Sequence, residues 1–305
     1  MTAYPIAIYA NGLFQDGYPI PPVPYATQIQ QLNAGITTIL LWSIHIHDGG
    51  VLYLNDSPFV SGGQILYSTD PTKGVNPDFP SLVESLMTGG TVRDLIASVG
   101  SWGGYTDFTN WYANRAAVQE NLKALNTAFG ISGVDFDFEP EDGYPASDQT
   151  MIIDLTLDVG AIGLFVTYCP YMEQDFWVGC LSGVYQQNGQ KQIVRWMNLQ
   201  CYAGGGGNTP QPWAAAVAAA GEIGIANPNA FIVPGYAVAG SEGDGMCPSQ
   251  MQSTFAAFAS SGTTGGFLWN SGSIWSAESS GGPLCDGAVA TPADYAAAIS
   301  NGLAG

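Results

Sequence analysis

One pattern constrains this chain more than any other: short β-type apolar runs alternate with segments of helical period from one end to the other. Strands are read near Ile6–Ala10, Thr37–Trp42, Leu95–Val99, Val134–Phe138, Leu164–Tyr168, Trp196–Tyr202, Ala230–Pro234 and Gly266–Trp269. Helices are read at Phe79–Met87, Phe108–Phe129, Gln149–Val159, Pro212–Ile223, Pro248–Ser260 and Pro292–Leu303. Ser147 and Asp148 precede the third of these as start signals, and Gly130 stands where the second must stop. Strand followed by helix, eight times over, predicts an α/β fold closed as a (β/α)8 TIM barrel. No linker or shift of composition divides residues 1–305, so one domain is expected. The Gly-rich AGGGGNTP (Ala203–Pro210) follows the sixth strand and reads as a loop on the top face. An open doubly wound sheet would carry a Gly-rich phosphate turn after its first strand, and YANGLF is not one.

Charge narrows the partners. The 305 residues hold 25 Asp and Glu but only six Lys and Arg, a net charge of −19. Nothing here neutralises phosphates, which excludes nucleic acid and disfavours an anionic membrane surface. A neutral, hydroxyl-rich ligand such as a glycan is compatible. No run reaches the ~18 apolar residues of a transmembrane helix. The opening MTAYPIAIYA lacks the positive segment of a secretion leader. Five cysteines show no close CxxC pair, which argues against a zinc site; Cys247 and Cys285, both in Gly/Pro-rich loops, are the pair that a disulfide suits. That leans towards an oxidising, extracellular setting, and a monomer is expected.

Within the fourth strand, GVDFDFEPED (Gly133–Asp142) sets five acids among two phenylalanines. Side chains alternate along a strand, so Asp135, Asp137 and Glu139 share one face, in steps of roughly 6.5–7 Å, and Phe136 and Phe138 share the other. Glu139 stands at the strand's end, stopped by Pro140, where a barrel carries its active site. Three carboxyls this close cannot all ionise at neutral pH, so at least one keeps its proton, as a general acid must. The acids also admit a calcium site, or a solvated turn at Glu141 and Asp142; the alternation with phenylalanine favours the strand.

SGVDFDFE resembles the DGxDxDxE signature of glycoside hydrolase family 18, the chitinases and related endo-N-acetylglucosaminidases. IAIYANG resembles that family's first strand, with Tyr9 at its aromatic position, and SVGSWGG (Ser98–Gly104) its SxGG element. LQCYAG resembles the QxY element of strand six, giving Gln200 and Tyr202, and GGFLWN the last strand, with Trp269 beneath the reacting sugar. The resemblance implies hydrolysis of β-1,4-linked N-acetylglucosamine with retention, assisted by the substrate's own acetamido group; the family is an exception to the two-carboxylate scheme. Glu139 would be the acid and later the base. Asp137 would orient the acetamido group and face the cationic intermediate, Asp135 would keep the proton balance behind it, and Tyr202 would hydrogen-bond the acetamido oxygen. No cofactor and no metal is implied.

The chain departs from the pattern at Ser132, where the signature begins with Asp, and at Ser101 in the SxGG element. Strand six lacks the MxYD acid and is closer to the plant-type, class III-like form. About 30 residues between the last two strands leave no room for an α+β insertion, so a shallow, open groove is expected. Trp102, Tyr105, Tyr171 and Trp177 follow strands three and five as candidate sugar platforms, beside Tyr9, Trp269 and Gln200. The pair in HIHD (His45–Asp48) has no third metal ligand and reads as a polar cluster. Arg115 reads as a tether for its helix. NDSP (Asn55–Pro58) matches a glycosylation sequon that its Pro weakens. The reading is an endo-chitinase acting on chitin; an endo-N-acetylglucosaminidase and a chitinase-like lectin are the alternatives.

Overall fold

The computed structural model describes residues 5–15, 23–241, 243 and 245–305; Met1–Tyr4, part of the stretch read for a leader, lie outside them. Eight parallel strands form the barrel: β1 (Ile6–Tyr9), β2 (Thr38–Ile46), β3 (Asp94–Trp102), β4 (Gly133–Glu139), β5 (Phe165–Tyr168), β6 (Val194–Gln200), β7 (Ile232–Ala237) and β8 (Gly266–Trp269). Each pairs with the next, and β8 returns to β1 with Phe267 beside Ala7, so the sheet closes. Around it run α1 (Tyr25–Leu32), α2 (Phe79–Thr88), α3 (Tyr105–Ala113), α4 (Arg115–Phe129), α5 (Ala146–Ala161), α6 (Gln174–Gln187), α7 (Pro210–Ala219), α8 (Pro228–Phe231), α9 (Pro248–Ala259), α10 (Ser271–Ser280) and α11 (Pro292–Ala304). The expected (β/α)8 barrel is the observed one.

The differences have local causes. The helix expected over Phe108–Phe129 breaks at Asn114, whose side chain turns back to the Asn110 carbonyl at 2.9 Å. An Asn that bonds its own backbone competes with the helix there. β7 starts two residues later than expected because Asn227 caps α8, accepting from the Ala230 N–H, with Pro228 at its first position. β2 runs on to Ile46 because an antiparallel extension pairs with its end: Leu52–Leu54, Ser57–Ser61 and Gln64–Ile65. Its turns carry Asn55 in the left-handed region (φ 50°) and the pair Gly62–Gly63, so the sequon-like NDSP is a hairpin turn.

β4 is buried throughout. Its outer face packs Phe136 and Phe138 into an aromatic layer with Phe108 and Trp111 of α3 and Trp177 of α6, at ring centroid separations of 4.9–6.5 Å. Its inner face meets its neighbours rung by rung: Ser98 of β3 and Thr167 of β5 flank Asp135, and Gly100 flanks Asp137. Gly100 has φ +92°, and a Cβ there would stand 2.5 Å from the Asp137 carbonyl oxygen. Only glycine lets the two strands approach so closely. Arg115 ties α4 to α5 through Asp158 and Asp154, the tether read in the sequence. Cys247 and Cys285 form a disulfide, joining the β7–α9 connection to the segment between α10 and α11. No described helix is long and apolar enough to cross a membrane.

Candidate active site

The lowest carboxyl is saturated. Asp135 has no solvent exposure and accepts four hydrogen bonds: from Tyr9 Oη and Ser98 Oγ at 2.9 Å on Oδ2, and from Thr167 Oγ1 at 2.5 Å and Asn198 Nδ2 at 3.0 Å on Oδ1. The Trp196 indole N–H, a donor only, bonds Asn198 Oδ1 at 2.8 Å and so fixes which end of that amide faces the acid. Burial pushes Asp135 above the ordinary carboxylate range, and the four donors pull it back.

One step up, Asp137 and Glu139 act as a pair. Burial, then the Glu139 charge, hold Asp137 well above the usual range; burial also lifts Glu139, opposed by hydrogen bonds from Asp137 and Gln200. The pair therefore keeps one proton between them, carried by Asp137 and donated to Glu139. Gln200 steadies both, its Nε2 lying 2.7 Å from Glu139 Oε1 and 3.3 Å from Asp137 Oδ1. The Trp42 indole N–H approaches Asp137 Oδ2 at 3.4 Å.

Above them opens a cavity of about 510 Å³, lined by Trp42, Ser101, Trp102, Asp137, Glu139, Tyr171, Gln200, Tyr202, Ala203, Gly204 and Trp269. Trp269 stands edge-on to Trp42 (centroids 4.9 Å, 85°) and nearly parallel to Tyr202 (6.0 Å, 15°), giving an apolar floor. Burial and then the nearby Cys169, Asp137 and Glu139 push the Tyr202 phenol up, so it stays a neutral donor. The Gly-rich loop after β6 forms part of the rim, as its sequence implied. Asn208 pins it by donating to the Gln200 and Tyr171 carbonyls, both at 2.8 Å, and a Cβ on Gly205 would collide with the Gln200 carbonyl oxygen at 2.3 Å. Trp102 is 74 % exposed and forms a ridge to a second cavity of about 680 Å³, which shares Ser101 and Trp102 and is lined further by His45, His47, Tyr53 and Asn110.

Glu139, Asp137, Tyr202, Gln200, Trp269, Trp102 and Tyr171 thus come together as the sequence indicated. Asp135 lies beneath them. Tyr9 does not line the cavity as a sugar contact would; it is fully buried, and its hydroxyl is spent on Asp135. Trp177 is fully buried on the outer aromatic layer because α6 turns it towards Phe138 and Tyr168. Tyr105 turns to α5, its hydroxyl on Asp148 at 3.2 Å. Ser132 takes no part in the network under Asp137: its hydroxyl bonds the Leu95 carbonyl at 3.3 Å, at the far end of β4. His45 pairs with Asp107 at 2.9 Å and His47 stacks on Tyr53; among the described residues no group of three or more His, Cys, Asp or Glu is placed to hold a metal. The sequence reading missed Trp42, Cys169, Ser98, Thr167 and Asn198 as site residues. Trp42 closed a recognised strand run, and its indole was the available signal; Ser98 opens the SxGG-like element, which was its signal; Cys169, Thr167 and Asn198 are single neutral side chains with no pattern of their own.

No protein-family profile and no curated protein matches the chain. Solved structures do. A chitinase of Aspergillus fumigatus is 20 % identical at a TM-score of 0.59, with 91 % of this chain and 99 % of that one covered. A family 18 chitinase of Pseudoalteromonas aurantia is 16 % identical at 0.56, covering 88 % and 95 %. A chitinase-like agglutinin of Robinia pseudoacacia is 11 % identical at 0.59, covering 96 % and 99 %. The fold of this chain is the (β/α)8 barrel of the family 18 chitinases.

Proposed function

We propose that the protein is a retaining endo-glycosidase that cleaves β-1,4 linkages between N-acetylglucosamine units of chitin, with the substrate's acetamido oxygen as nucleophile. One observation carries the reading: the only carboxyls among the described cavity-lining residues are Asp137 and Glu139, neighbours on one strand face sharing a proton. An enzyme nucleophile would come from the other side of the sugar, and no other lining residue is an acid. The shared proton passes from Asp137 to Glu139, and Glu139 gives it to the leaving oxygen as the acetamido oxygen attacks the anomeric carbon. The bond to that oxygen breaks, and Tyr202 donates to the acetamido group. Asp137, now ionised, faces the cationic ring that forms, with Trp269 under the sugar's apolar face. Glu139, now a carboxylate, takes a proton from the water that opens the ring, and the configuration is retained.

The groove running past Trp102 into the second cavity favours a linear polymer over a branched glycan. The retained acid, and the position of Ser132 outside the network, favour turnover over lectin-like binding. We further propose a monomer whose single catalytic domain spans 1–305, working outside the cell, where its disulfide is maintained. The test is product analysis with chitin hexamer and, separately, a high-mannose glycoprotein. Short oligomers first appearing as the β-anomer support the reading. Release of an intact glycan would reassign it to an endo-N-acetylglucosaminidase, and binding without cleavage to a lectin.

A further inference from the structure

The hydrogen count beneath Asp137 closes only through Cys169. Tyr9 has one hydroxyl proton, yet its oxygen lies 2.9 Å from Asp135 Oδ2 and 2.8 Å from Cys169 Sγ. A carboxylate is the stronger acceptor, so the phenol proton belongs to Asp135. The contact with sulfur is then made by the thiol's own proton, donated to the Tyr9 oxygen. The thiol's other neighbour is Asp137, set beside it by register, since Cys169 follows Tyr168, the rung partner of Phe136; an S–H turned there would favour the ionised carboxylate. The residue is held in place: its N–H bonds the Phe136 carbonyl at 3.0 Å, and its carbonyl accepts from Gln200 Nε2 at 3.3 Å. One S–H thus lies between two acceptors, bonded to the Tyr9 oxygen and within the reach of a turn of Asp137, which gains and loses a proton.

We propose that Cys169 is a positioning residue whose S–H turns from the Tyr9 oxygen to Asp137 when Asp137 loses its proton, holding that carboxylate ionised while positive charge develops on the sugar. This deepens the function proposed above and rests on it. The groups facing the thiol are Tyr9 from β1, Asp135, Asp137 and Glu139 from β4, Tyr144 from the loop after β4, and Tyr202 after β6. Burial raises all three phenols and the thiol itself, so the carboxyls are the groups that change charge around it.

Two measurements test it. In pH profiles on a soluble chitin oligomer, Cys169→Ala should lower kcat by about 2–10-fold, the range of one ordinary hydrogen bond, with KM unchanged. Its alkaline limb should move to higher pH, because a donor to the ionised form is gone, and Cys169→Ser should restore most of both. An unmoved limb, or equal effects of Ala and Ser, would leave Cys169 a packing residue and overturn the proposal. Infrared spectroscopy reads the switch without turnover. The S–H band, separated from those of Cys180 and Cys201 by subtracting the Cys169→Ser spectrum, should shift as pH crosses the carboxyl titration and stay still in Asp137→Asn. A band insensitive to pH would overturn the proposal whether or not chitin is cleaved. A shifting band in a protein without activity would support the switch and count against the function instead.

Discussion

Each acid on β4 has a different task because each sits at a different depth. Asp135 has no exposure and a full set of donors, whereas Glu139 keeps 9 % exposure at the cavity. Replacing Glu139 by Gln keeps the shape and removes the proton, so kcat should fall by at least the ~10²–10⁴-fold typical of general acid–base catalysis while oligomer binding persists. Normal turnover by that variant would remove the assignment. The same proton sets the pH profile: activity should peak under mildly acidic conditions and decline as the pair deprotonates, and a rate level to pH 9 would contradict this. Stability carries a matching signature. Asp137 is raised, so the native state binds more protons than the unfolded one from the ordinary value near 4 upward. That makes its contribution to stability fall as pH rises through that window. Asp137→Asn should therefore raise Tm at pH 8, and by less at pH 4, in calorimetric scans at the two pH values.

At the scale of elements, the register of β3 against β4 governs the site. Gly100→Ala would place a methyl against the Asp137 carbonyl in a backbone region costly to side chains. It should destabilise the fold by at least about 1–3 kcal/mol, seen as a lower urea midpoint, and reduce kcat by displacing Asp137. The alternation of acids and phenylalanines on β4 was readable because period 2 marks both faces of a strand at once. Thr167, Asn198 and Cys169 were not, because a lone neutral side chain acquires meaning only when register sets it beside a partner from another strand. Trp177 shows the converse: an aromatic just past a strand looks alike in sequence whether its helix turns it to the cavity or to the core.

Across the molecule, the alternation of strand and helix was enough to give the closed barrel, while its edge extension and several short helices depended on turns and caps too local to set a period. The disulfide between Cys247 and Cys285 closes a separation of 38 residues. Replacing both cysteines by Ser should lower stability by about 3–4 kcal/mol from loop entropy and leave the rate at 25 °C unchanged, since neither residue lines the cavity. The pairing of β8 with β1 bears on how the protein is made. Tyr9 emerges from the ribosome long before Trp269, yet their rings meet at 5.5 Å. Until Gly266–Trp269 has been translated, β1 and β7 each present an open edge that invites foreign strands. The nascent barrel must be shielded until then, and it becomes a working molecule only when its last strand arrives.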